Sequence, residues 1–169
     1  NDGRAVYTDD NGNTFAGRLS NKNRSTILPD QTCNTAYGYK ALHEITTGDN
    51  NTAIGCKAGW NITTGSKNII IGESADELVE GVSNIIIGHR SVENTVDDIS
   101  YNIIIGGDGL GETLGDSSGP LPSKDYNFII GTNEEKIFLH GIMGPSDSDR
   151  VLKIPKGRLQ ITQGKDALQ

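Results

Sequence analysis

The chain has 169 residues, a net charge of −7, 22 glycines and aromatic side chains at only 5%. The negative charge argues against nucleic acid as a partner, which demands concentrated Lys and Arg, and so few large apolar side chains argue against a thick globular core. The longest aliphatic run is three residues, far short of the roughly 20 that cross a bilayer as a helix, and no signal peptide opens the chain, as expected of an excised fragment or of export by another route.

Residues 1–33 read as an N-terminal β-hairpin and cap. Val6-Tyr7 and Thr14-Phe15 flank Asp9-Asp-Asn-Gly-Asn13, and Asn-Gly accepts the backbone angles of a hairpin turn. The same run offers oxygen ligands for Ca²⁺. Ser20 stands where such a loop needs its acidic twelfth residue, so no metal is expected there.

From residue 34 a short repeat takes over, an Asn, three strand-forming residues and a Gly. The copies are Asn34-Thr-Ala-Tyr-Gly38, Asn51-Thr-Ala-Ile-Gly55, Asn68-Ile-Ile-Ile-Gly72, Asn84-Ile-Ile-Ile-Gly88, Asn102-Ile-Ile-Ile-Gly106 and Asn127-Phe-Ile-Ile-Gly131. Their spacing is 17, 17, 16, 18 and 25 residues. Each copy is too small to bury its own apolar face, so copies must stack, and an all-β, parallel β-solenoid over 34–131 is predicted. Three residues after each Gly comes a small residue, Ala41, Ala58, Ala75, Ser91 and then Gly109. Return turns follow at Thr46-Thr-Gly48 and Thr63-Thr-Gly65, with Gly81 as a looser match. Gly supplies the corner's positive φ. Asn tolerates left-handed backbone, and stacked Asn side chains can hydrogen-bond from coil to coil. In this frame Cys33 lies before its strand and Cys56 after the next one, roughly 20 Å apart along the strand direction. Both are expected to be free thiols.

Alternate strand residues face opposite ways. Ile70, Ile86 and Ile104 therefore lie on one face, and Ile69/Ile71, Ile85/Ile87 and Ile103/Ile105 on the other. Ile54, Ile70, Ile71, Ile86, Ile87, Ile104, Ile105 and Ile129 are the candidates for the roll core and for an interface between chains. One face closes the interior. The other would leave a ladder of exposed Ile unless another copy of the chain covers it.

The 25-residue interval holds an insertion over 107–126, rich in Gly, Pro and Ser. Insertions in repeat proteins become loops that are frequent recognition surfaces; the plainer reading is a disordered side loop or a cap that ends the roll. Asp108, Glu112, Asp116 and Tyr126 are its candidate binding residues. Trp60, the one Trp, is either a stacking platform for sugar or a packing residue between coils. Residues 132–169 alternate as strands at Lys136–His140, Val151–Ile154 and Arg158–Thr162, with a turn at Pro155-Lys-Gly157, and form a small β end-piece. His43, His89 and His140 share no metal-ligand spacing, and no nucleophile motif appears. Neither catalysis nor a cofactor is expected.

The Asn-x-Ala-Ile-Gly core, the small residue three positions on, and the Thr-Thr-Gly-x-x-Asn return resemble the YadA-like head of trimeric autotransporter adhesins. They are still more similar to the versions in virus and phage fibre proteins. The resemblance spans about residues 32–131 and loosens after Gly72. It implies a left-handed parallel β-roll, a homotrimer, and attachment of a virion or cell to a host-surface receptor or glycan, on the virion surface or outside the cell. The Phe138-Leu-His-Gly-Ile142 stretch resembles the segment that precedes a self-cleaving C-terminal chaperone in many viral fibres. The alternatives are a fibre-borne polysaccharide depolymerase, whose paired acids would be assembled between chains, and a purely structural shaft. An acyltransferase β-helix would need hexapeptide steps, which are absent.

Overall fold

The computed structural model describes residues 6–21, 31–75, 80–92, 99–107, 125–132, 137–143 and 150–153. Among them the regular structure is all β, in ten strands: β1 (Val6–Thr8), β2 (Thr14–Ala16), β3 (Thr35–Tyr37), β4 (Thr52–Ile54), β5 (Ile69–Ile71), β6 (Ile85–Ile87), β7 (Ile103–Ile105), β8 (Asn127–Gly131), β9 (Ile137–Met143) and β10 (Arg150–Lys153). They form one sheet in sequence order. From β2 to β8 every pairing is parallel and in repeat register, so that Ala36, Ala53, Ile70, Ile86, Ile104 and Ile129 stack directly. This is the predicted β-solenoid. At the usual strand spacing, seven parallel rungs stand roughly 30 Å tall.

Both ends reverse direction. β1 runs antiparallel to β2, and β9 and β10 run antiparallel beyond β8. The hairpin expected around residues 9–13 is present, but its second arm is also the first rung of the roll. The ladder thus starts at Asn13-Thr-Phe-Ala-Gly17, one copy before Asn34, where the sequence suggested only a cap. Turn residues before Asn13 hid that copy, because one short strand serves the hairpin on one edge and the parallel ladder on the other. Ser20, considered above as a calcium-loop position, is the buried small residue of this first coil, and its hydroxyl donates to the Gly17 carbonyl at 2.9 Å. β9 and β10 match two of the three expected end-piece strands. Arg158–Thr162 and the 155–157 turn lie outside the described residues.

The core is a narrow column. The middle residue of each rung is fully or almost fully buried, from Phe15 through Ala36, Ala53, Ile70, Ile86 and Ile104 to Ile129. Ala41, Ala58, Ala75 and Ser91 face it from the second segment, as the small-residue spacing required, together with Leu42, Ile45, Ile62, Val92 and Ile99. That second segment runs through tight turns, with i→i+3 bonds such as Ala58 N–H to the Gly55 carbonyl at 3.4 Å and Ile62 N–H to the Gly59 carbonyl at 3.3 Å.

Seven buried Asn side chains, Asn13, Asn34, Asn51, Asn68, Asn84, Asn102 and Asn127, form a continuous ladder. Each Oδ1 accepts both the backbone N–H and the Nδ2 of the next Asn; for Asn51 and Asn68 both distances are 3.1 Å. The second Nδ2 hydrogen closes the coil on the return turn, reaching the carbonyls of Gly48, Gly65, Gly81 and Ile99 at 2.8 Å. Asp9 starts the ladder, accepting from the Asn13 backbone N–H at 2.9 Å and side-chain amide at 3.0 Å. A second polar column joins coils at the surface, where the N–H groups of Thr32, Asp49, Val82 and Ser100 donate to side-chain oxygens of Asp49, Ser66, Ser100 and Asp125 respectively.

The corner glycines from Gly17 to Gly106 have positive φ as expected, but left-handed backbone at non-glycine residues falls elsewhere than expected. The ladder Asn residues are not in it. The residue before each one is, at Cys33, Asn50, Lys67, Ser83, Tyr101 and Tyr126, with φ from 55° to 64°. So is the second residue after each corner Gly, at Leu19, Lys40, Lys57, Ser74 and Arg90. This twist turns each N–H toward the preceding coil, as where Lys67 N–H reaches the Asp49 carbonyl at 2.8 Å. A non-Gly residue held there costs about 1–2 kcal/mol. Lys67→Gly is therefore expected to raise stability by about 0.5–1 kcal/mol, after part of the gain is lost to unfolded-chain entropy. A rise in urea midpoint at constant slope is the readout.

Candidate functional site

The outer face of the sheet is a two-column strip. One column runs Tyr37, Ile54, Ile71, Ile87, Ile105 and Ile130; the other runs Thr35, Thr52, Ile69, Ile85, Ile103 and Phe128. Tyr37 is 67% exposed, and Ile54, Ile69 and Ile105 are near 40%. The eight core or interface candidates therefore separate. Ile70, Ile86, Ile104 and Ile129 fill the interior of their own chain, whereas Ile54, Ile71, Ile87 and Ile105 face outward. Assigning Ile70, Ile86 and Ile104 to an interface between chains would be incorrect, because one chain already buries them completely.

Trp60 is half-buried in the second segment of its coil, five residues after Gly55. His43 holds the equivalent place after Gly38, and the two rings meet edge to face with centroids 6.4 Å apart. Lys40 and Lys57 are likewise equivalent, each two residues after its Gly and each at φ 57°. Their ammonium groups lie 4.8 and 4.7 Å from the Trp60 ring centroid, and Lys40 Nζ is also 5.6 Å from the Tyr39 ring. Tyr39 is exposed. His43 Nδ1 lies 2.6 Å from the Leu19 carbonyl oxygen, and its Nε2 is 3.9 Å from a Glu44 carboxylate oxygen. Among the described residues neither Lys40 nor Lys57 has a carboxylate partner. Both are met by aromatic rings instead, an arrangement that stabilises the cation by about 0.5–1 kcal/mol at a surface.

Tyr126, the described end of the insertion, stacks on Tyr101 with parallel rings 4.9 Å apart. Both occupy the left-handed position before a ladder Asn, which is why their rings overlie one another. Asp108, Glu112 and Asp116 lie outside the described residues. Cys33 is exposed, Cys56 half-buried, and both are free thiols. Among the described residues no group of three or more His, Cys, Asp or Glu side chains is placed to hold a metal ion.

The sequence singled out Trp60 and Tyr126 but not Tyr39, Lys40, His43, Lys57 or Tyr101. The signal was available in the repeat alignment, since residues at the same offset in adjacent coils must become neighbours. Comparison with protein-family models, curated proteins and solved structures finds no match to this chain.

Proposed function

We propose that this chain is the head of a trimeric surface fibre that attaches a virion or cell to a host receptor or glycan without catalysis. The observation that carries it is the exposed apolar strip of β3–β8. From β5 to β8 every rung presents an apolar outward pair, and in β3 and β4 a Thr stands beside Tyr37 and Ile54. The ladder register repeats these pairs at strand spacing along the stack. A surface able to match that repeat rung for rung is another copy of the same solenoid. Three copies around an axis, with a left-handed course of the coils, follow from the resemblance to YadA-like heads. Buried polar side chains such as those of the Asn ladder are committed to hydrogen bonds between coils, which suits a rigid scaffold. Three sites presented on one axis would turn modest contacts into firm attachment.

Light scattering is expected to give three times the 18.0 kDa chain mass. Ile71→Asp with Ile87→Asp should yield folded single chains with unchanged circular dichroism. Ile86→Asp should instead unfold the roll, because an unpaired carboxylate in the column costs several kcal/mol. A single-chain mass for the unaltered protein would refute the assembly. Binding of the labelled trimer to host cells tests attachment, and release of reducing sugar from host glycans would favour the depolymerase reading.

A further inference from the structure

Taking attachment as the chain's role, we propose that Lys40, Lys57 and Trp60, with Tyr39 at their edge, form a binding site for an acidic saccharide. The carboxylate or sulfate sits between the two ammonium groups over half-buried Trp60, and the sugar ring lies against the exposed Tyr39 ring. Three observations converge. Two ammonium groups from adjacent coils share one indole within 5 Å of its centroid. Neither has a carboxylate partner among the described residues, where Glu44 instead lies toward His43. The same left-handed position holds Leu19, Ser74 and Arg90 in the other coils, so the backbone does not require Lys at either place.

The ligand class follows from the same geometry. A cation already seated on an aromatic ring is partly desolvated, and a small anion can bridge two such groups. The neighbouring rings offer flat apolar surface to the C–H face of a pyranose. A long polyanion fits poorly, because two ammonium groups cannot offset repulsion from a net charge of −7. The site is also multivalent in the proposed trimer, so weak monovalent binding is sufficient.

Trp60 is the one Trp in the chain, so its emission reports on this site without labelling. The test titrates the full chain with sialyllactose, sulfated lactose, plain lactose and a short single-stranded oligonucleotide, following Trp60 fluorescence and heat. The acidic sugars are expected to perturb the emission with millimolar or tighter Kd. Affinity should fall at least tenfold in Lys40→Gln/Lys57→Gln and in high salt, and return in Lys40→Arg/Lys57→Arg. Whichever acidic sugar binds identifies carboxylate or sulfate as the anion. Plain lactose or the oligonucleotide binding as tightly as the acidic sugars would overturn the proposal. So would wild-type affinity in the double Gln variant with its circular dichroism intact, or no response to either acidic sugar. If that variant attaches to cells as the wild type does, this site is refuted and attachment stands. If the wild type attaches to no cell, attachment fails and the sugar titration alone decides the site.

Discussion

Gly72→Ala is expected to destabilise the roll by on the order of 3 kcal/mol or more, combining backbone strain with overpacking. Gly72 has φ 139°, a region L side chains rarely adopt. A Cβ built there would collide with the carbonyl of Gly88 in the next coil. That obstacle is backbone, held by its own ladder, in which Gly88 N–H donates to the Ile71 carbonyl at 2.8 Å. The clash can be relieved only by separating two rungs, so its effect reaches the stacking that holds every coil. Gly107→Ala is the matched control. Its Cβ would meet nothing closer than 3.4 Å, and a change under about 1 kcal/mol is expected. Urea denaturation of both variants is decisive, and equal midpoints would show that the corner accepts a side chain.

The second large effect belongs to the Asn ladder. Asn68 donates to Asn51 Oδ1 at 3.1 Å and to the Gly81 carbonyl at 2.8 Å, and accepts from the Asn84 backbone and side-chain amides, both at 3.0 Å. All of this is buried. Asn68→Ala leaves several polar groups without partners at about 1–3 kcal/mol each, so a loss of roughly 3–6 kcal/mol is expected. Asn68→Asp keeps the shape but replaces two donors with an anion facing two oxygens. Burial beside those oxygens favours the protonated carboxyl in the fold, raising its folded pKa above the unfolded value of about 3.9. The variant should therefore be least damaged below that value and lose stability as pH rises through the window up to the folded pKa. Thermal melts at about pH 3.5 and pH 7, referenced to the unaltered protein, test this. A pH-independent penalty would show that the site is open to water.

Much of this architecture is visible in spacing. Copies 16 to 18 residues long can bury an apolar strand only by stacking, and that placed β3–β8 in parallel register, the corner at Gly and the small residues after it. Asn13 was equally visible as a pattern, but the turn chemistry before it competed. Asp9 and the Asn11-Gly12 pair signal a hairpin, and nothing local says that a hairpin arm also serves as a rung. The left-handed positions were hidden for a related reason. Lys, Ser, Tyr and Arg carry no preference for positive φ, and only the pull of the preceding coil's carbonyl imposes it.

The candidate site was less legible than the fold. Trp60 attracted notice as the one Trp, whereas Lys40 and Lys57 look ordinary in isolation. They matter because equal offsets from Gly38 and Gly55 place them one rung apart. Tyr101 and Tyr126 meet across the 25-residue interval for the same reason, through their shared place before Asn102 and Asn127.

By itself the sequence determined the repeat, the Asn and Gly columns and the division of each rung into two opposed faces, because period and residue type alone dictate these. Which face lies inside was decided by the closed coil. In copies reading Ile-Ile-Ile both faces are equally apolar, and alternation assigns sides without saying which is interior. The hint lay in Thr35-Ala36 and Thr52-Ala53, where polar Thr flanks a small Ala. Only the direction of the bend at each corner Gly, set by contact with the coil above and below, turned Ile86 inward and left Ile87 facing out.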